Sequence, residues 1–150
     1  MTGGRPMSVR HQVERMRDDY PNFLVLHEIE WGAVWRGKLR PLAQSYDVQI
    51  GCCAFNFRPA DIIAQRPQVE ITNPELRFDA AGFIPHIYPN SFMPTRPRLC
   101  LHRPEEWTPD MAIADTIVPW TAEWLIAYEG WRATGRWMAG GHNTERSRIK

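Results

Sequence analysis

Lysine is almost missing from this chain: Lys38 and Lys150 stand against sixteen arginines. Codon bias is the plain explanation. A chemical one is that a protein handling an activated acyl group benefits from few amines nearby. An excess of either charge is missing too. The formal net charge is +1, which leaves no electrostatic footprint for nucleic acid. No apolar run is long enough to span a bilayer. The opening MTGGRPMSVRHQVERMR has no apolar signal-peptide core. The expected compartment is therefore the cytosol, with neither nucleic acid nor membrane as partner. Cysteine is sparse. Cys52, Cys53 and Cys100 are an odd number at spacings that form no disulfide framework. They contain no CxxC pair, so no metal site is expected, and nothing points to a cofactor.

What is present fits one domain over residues 1–150, with residues 1–7 and 136–150 expected to be loose. A chain that is 43% hydrophobic and carries seven tryptophans can bury a real core. Ser8 is placed to cap a helix running to Tyr20, with Val9, Val13, Met16 and Tyr20 on one stripe. Pro21 ends it. In FLVLHEIEWGAVWRGKLRPL, the residues Ile29, Trp31, Ala33 and Trp35 alternate with more polar or smaller neighbours at strand period. SYDVQIGCCAFNF alternates again and sets Cys52 and Cys53 on opposite faces. A short strand follows around Val69 and Ile71, closed by Asn73-Pro74. GFIPHIYPN gives a fourth extended piece, and the chain then runs irregular and proline-rich to Pro104. Thr108-Pro109 suits the start of a helical turn. A long helix is expected from Thr116 to Thr134, with Ile117, Trp120, Trp124, Tyr128 and Trp131 on one face and Gly135 as its stop. Grouped strands with helices at the ends argue for an α+β fold: an N-terminal helix, an antiparallel meander of about four strands, an irregular segment and a long C-terminal helix.

The candidate chemistry centres on RPRLCLHRPEEW. Arg96, Arg98 and Arg103 lie close to Cys100 in sequence and would favour its thiolate, while Glu105 and Glu106 oppose this. A buried cysteine between Leu99 and Leu101 fits the local sequence equally well. His102 and His86 are candidate bases for a cysteine nucleophile, or ordinary turn histidines. The Asn90 amide can donate to a developing oxyanion, although Pro-Asn is also common turn chemistry. The tryptophan stripe on the last helix is most simply core.

Together, Tyr88-Pro89-Asn90, Leu99-Cys100-Leu101 and Trp107-Thr108-Pro109 with Ile113 resemble the core of ubiquitin-conjugating enzymes. That family has a His-Pro-Asn turn, an Ile-Cys-Leu active-site segment and a Trp-Ser-Pro motif. Pro67-Gln68-Val69-Glu70-Ile71 resembles its proline-rich entry to the third strand, and the resemblance covers about residues 8–134. PWTAEWLIAYEGWRATGRW is similar to the Trp-rich helix of the bacterial branch, the conjugating-enzyme-like proteins of type II CBASS anti-phage operons, here in stand-alone form. The sequence departs from the eukaryotic pattern in three places. Tyr88 replaces the histidine of His-Pro-Asn, with His86 two residues earlier. The stretch from Val69 to Asn90 is long. The later helices are reduced to a tail.

The resemblance implies a cytoplasmic cysteine acyltransferase. Cys100 would form a thioester with the C-terminus of a partner cyclic-oligonucleotide synthase (a CD-NTase) and pass that acyl group to a nucleophile, priming anti-phage signalling. Asn90 would stabilise the oxyanion, and His102 or His86 would assist proton transfer. A separate activating enzyme is a further expected partner. Two alternatives stand beside it: an inactive binding module for the synthase on the same fold, and a cysteine hydrolase that removes conjugates.

Overall fold

The computed structural model describes residues 4–53 and 66–138. Its order is α1 (Val9–Asp19), β1 (Leu24–Ile29), β2 (Gly32–Leu39), β3 (Tyr46–Cys53), β4 (Gln68–Asn73), β5 (Ile87–Tyr88), β6 (Arg98–Leu99) and α2 (Ile117–Thr134). Short 3-10 turns at Pro104–Glu106 and Ile113–Asp115 connect β6 to α2. The strands form one six-stranded sheet in the order β1-β2-β3-β4-β6-β5, with every pair antiparallel. This is the α+β arrangement expected from the sequence.

Both helix ends follow their cap chemistry. The Ser8 side chain accepts from the His11 amide at 3.0 Å, satisfying one donor that the helix itself cannot. Gly135 takes the left-handed conformation (φ 79°), and its N–H closes α2 on the Trp131 carbonyl at 2.8 Å.

Two strands and one turn differ from expectation. The alternation through Ile29, Trp31, Ala33 and Trp35 continues across a tight turn, so β1 and β2 form a hairpin paired Ile29↔Gly32. Periodicity does not register a two-residue reversal, and Trp31 sits half-exposed at the turn. The proline-rich stretch before Cys100 contributes β6, which is inserted between β4 and β5. With only two residues, it is too short for a pattern to reveal. Thr108-Pro109 makes a turn closed by Met111 N–H to the Thr108 carbonyl, not the start of a helix.

One face of the sheet is core. Ala33 and Trp35 of β2, Tyr46, Val48, Ile50 and Cys52 of β3, and Val69 and Ile71 of β4 are buried with Trp124, Leu125 and Tyr128 of α2. The other face carries Arg36 on Gln49, Lys38 on Asp47, and Glu70. Cys52 is buried on the core face of β3. Cys100 is the free cysteine among the described residues. The Cys53 side chain, residues 1–3 and the tail from residue 139 lie outside the described residues. Trp137, in the stretch expected to be loose, packs against Trp124 with ring centroids 5.2 Å apart.

Buried Gln12 joins α1 to the segment that leads into α2. Its Nε2 donates to the Met111 carbonyl and its Oε1 accepts from the Ile113 amide, each at 2.9 Å. Gln12→Ala strands both backbone groups in the interior. It is expected to lower the unfolding free energy by about 2 kcal/mol, read from urea melts as a lower midpoint at unchanged slope.

Tyr46 ties the sheet to α2 through a 2.8 Å hydrogen bond from its hydroxyl to Glu129. Burial first, and that bond second, hold its phenol above the ordinary value. The folded state therefore keeps this proton after the unfolded chain has released it. Stability falls as pH rises above about 10, the unfolded value. Tyr46→Phe is expected to flatten that alkaline loss in thermal melts between neutral pH and pH ~11.

Candidate active site

Cys100 immediately follows β6. Leu99 and Leu101 are buried on either side of it, and Cys100 itself is half-exposed. An alternating segment turns neighbouring side chains opposite ways. The two leucines anchor the segment, and the cysteine reaches the surface.

The backbone here is held from below. His86 has a left-handed backbone (φ 56°), a conformation that a non-glycine residue keeps only where its surroundings impose it. Its carbonyl accepts two hydrogen bonds: one from the Cys100 amide at 3.0 Å, and one from the Trp124 indole N–H at 2.9 Å. One carbonyl thus links α2 to the backbone of the cysteine. β5 follows His86 and pairs Tyr88 with Arg98 and Ile87 with Leu99. That register brings the Tyr88 hydroxyl to 3.5 Å from Cys100 Sγ, within hydrogen-bond range for sulfur.

Asn90 is buried and serves the loop it begins. Its Oδ1 accepts from the amides of Phe92 and Met93 at 3.1 and 3.2 Å, and its Nδ2 donates to the Arg96 carbonyl at 3.1 Å. Such side-chain bonds to nearby backbone build a turn in place of regular structure. The histidine rings lie against aromatic neighbours. His86 packs on Trp137 at 5.2 Å and His102 on Trp120 at 5.4 Å. His102 Nδ1 also pairs with the Arg103 carbonyl at 2.6 Å.

The arginines that seemed arranged for Cys100 have a different neighbour. Arg96 and Arg98 converge on Glu70 of β4, at 4.0 and 3.9 Å. Their positive charge is partly answered by that carboxylate. Trp107 is buried and donates to Thr116 Oγ1 at 3.1 Å, so it braces the approach to α2.

A cleft of about 130 Å³ opens at Tyr88, lined by the leucines that flank Cys100 in sequence and not by Cys100 itself. Leu99, Leu101, Pro67 and Pro104 give it apolar walls, and Tyr88, Gln68, His102, Arg66 and Arg98 give it polar ones. Arg66 is fixed there by its Nε bond to the Pro104 carbonyl at 2.5 Å. Tyr88 belongs both to this cleft and to the contact with sulfur. Its role could have been suspected from the sequence, because it fills the histidine position of the turn motif. Its distance to Cys100 required the β5–β6 register.

Residues 12–145, nearly the whole chain, match the family described as type II CBASS E2 protein. The chain belongs to that family. Among curated proteins, none matches it. Membership agrees with the helix–sheet–helix order and gives the half-exposed Cys100 its context: an E2-like protein of a CBASS system. Among the described residues, no group of three His, Cys, Asp or Glu side chains is placed to hold a metal ion, and no helix is long and apolar enough to cross a membrane.

Proposed function

We propose that the protein is a cysteine acyl carrier and transferase. It takes the C-terminal acyl group of the CD-NTase of its CBASS system, presented in activated form by an activating enzyme whose leaving group departs, onto Cys100 as a thioester and hands that acyl group to a nucleophile. The observation that carries this reading is a free, half-exposed Cys100, in contact with Tyr88 of a cleft, in a chain of the CBASS E2 family. A thiolate attacks acyl carbon well and leaves well, so one sulfur can serve both steps. The buried leucines on either side fix the segment, so loading need not reorganise the backbone.

The cleft suits the last residues of an extended chain. Its arginines and Gln68 can hold the backbone carbonyls of that tail. Asn90 contributes by fixing the loop between β5 and β6, and the histidines by packing. Engagement of both imidazoles with tryptophans supports a transferase over a cysteine hydrolase, which needs an imidazole aimed at its thiol.

Co-expression with the synthase of its own operon tests the reading. Wild type is expected to give a joined species on non-reducing gels that hydroxylamine or thiol cleaves. An identical joined species in Cys100→Ala would exclude the assignment.

A further inference from the structure

We propose that the Tyr88 hydroxyl is the oxyanion donor of the Cys100 centre. This rests on the acyl-transfer reading above and assigns a residue to its most demanding moment. During transfer, the carbonyl oxygen of the acyl group gains negative charge. Fixed donors aimed at that oxygen do most to lower the barrier.

Three observations converge on Tyr88. Its hydroxyl lies 3.5 Å from Cys100 Sγ. The acyl oxygen is one atom beyond the carbon that bonds to sulfur, so a donor this near the sulfur faces the space where charge develops. Tyr88 also lines the cleft in which the acyl chain would lie, together with Leu99, Leu101 and Gln68. Finally, the tyrosine is held by pairing. Tyr88 faces Arg98 across the β5–β6 ladder, and the Cys100 amide bonds to the carbonyl of His86, two residues before Tyr88. Nucleophile and donor therefore sit on adjacent hydrogen-bonded segments, with little freedom to drift apart.

Asn90 is the residue that sequence logic nominates for this task. In the structure, its amide oxygen takes two backbone N–H groups and its nitrogen donates to the Arg96 carbonyl. Those bonds give it the loop to hold. A phenol both donates and accepts. In the resting state Tyr88 accepts from the thiol, and in the reacting state its O–H turns to the oxyanion.

The chemistry balances without further groups. The thiol proton passes to water, and the Cys100 thiolate attacks the carbonyl carbon of an activated acyl donor, here a thioester. A C–S bond forms, and the carbonyl π pair moves onto oxygen, where Tyr88 donates its hydrogen bond and keeps its proton. The pair returns, and the donor's own thiolate leaves. In the second step an amine attacks the same carbon, Cys100 leaves as thiolate, and the amine proton passes to water.

Two reactions at Cys100 separate this role from a structural one. The first is loading from a short glycine-ended peptide presented as its mercaptoethanesulfonate thioester, followed by intact mass. The second is alkylation by iodoacetamide, mapped to the Cys100 peptide. Alkylation displaces iodide at a saturated carbon and builds no oxyanion. Tyr88→Phe is expected to slow loading roughly a hundredfold and to change alkylation no more than a few-fold, the effect of losing the resting thiol contact alone. Equal loading by Tyr88→Phe and wild type would overturn the proposal. So would a parallel slowing of both reactions, which would mean that the ring only shapes the site. A greater loss of loading in Asn90→Ala, at wild-type melting temperature, would transfer the role to Asn90. A wild-type protein that alkylates but never loads would overturn the acyl-transfer reading itself, and this inference with it. That failure is recognisable because it appears before any substitution is made.

Discussion

Trp124→Ala is expected to lower the unfolding free energy by about 3–5 kcal/mol, the range for deleting a large buried aromatic. Trp124 is fully buried. It stacks on Tyr128 with ring planes 10° apart and centroids 5.5 Å apart, and it meets Trp137 edge-on at 5.2 Å. Truncation opens a cavity beside the two remaining rings, and a rigid helix facing a sheet can close only part of it. The indole also donates to the His86 carbonyl, the same oxygen that receives the Cys100 amide. The loss therefore reaches the site as well as the core. Trp124→Phe keeps most of the ring volume and removes the N–H. It is expected to cost nearer 1 kcal/mol, the usual net worth of one hydrogen bond. Urea melts of the two variants separate packing from hydrogen bonding. Equal losses would mean that the hydrogen bond to His86 dominates.

Cys100→Ala is expected to abolish the joined species and, with it, the protection that the operon gives against phage, while leaving stability near wild type. The side chain is half-exposed and contributes little to the core, so a surface-like substitution penalty within about 0.5 kcal/mol applies. Plaque counts on cells carrying the complete operon measure the first effect, and a thermal melt of the purified variant measures the second. Full protection by Cys100→Ala at wild-type expression would instead favour a binding module that uses the fold without the thiol. Shared folds often carry different functions, so the fold does not choose between these outcomes.

The longer elements were legible in the sequence because they obey local rules. Ser8 caps α1, Gly135 stops α2, and β3 and β4 alternate cleanly between core and surface. The β1–β2 reversal was hidden because alternation happens to stay in phase across Glu30 and Trp31. The insertion of β6 beside β4 was hidden for a different reason: a two-residue strand is defined by its partners, and partners are long-range information. The same limit applies at the site. Sequence singled out Cys100, Asn90, His86 and His102 by residue type and spacing. It could not show that Glu70, thirty residues from Cys100, draws Arg96 and Arg98 toward β4, nor that the Tyr88 hydroxyl reaches the sulfur. Charge neighbours and donors are set by strand register, and register comes from the whole sheet.

Cys100→Ser, co-expressed with the synthase and the other genes of the operon, converts a labile thioester into a more durable oxyester and puts Cys100 to the sharpest test. Intact mass of the purified product is predicted to equal the two chains less one water. Fragmentation is predicted to place the linkage between residue 100 and the synthase C-terminus. A joined mass whose linkage maps to any other residue would rule out Cys100 as the acyl carrier, as would a stable non-covalent complex that never yields a joined mass for either the serine variant or wild type.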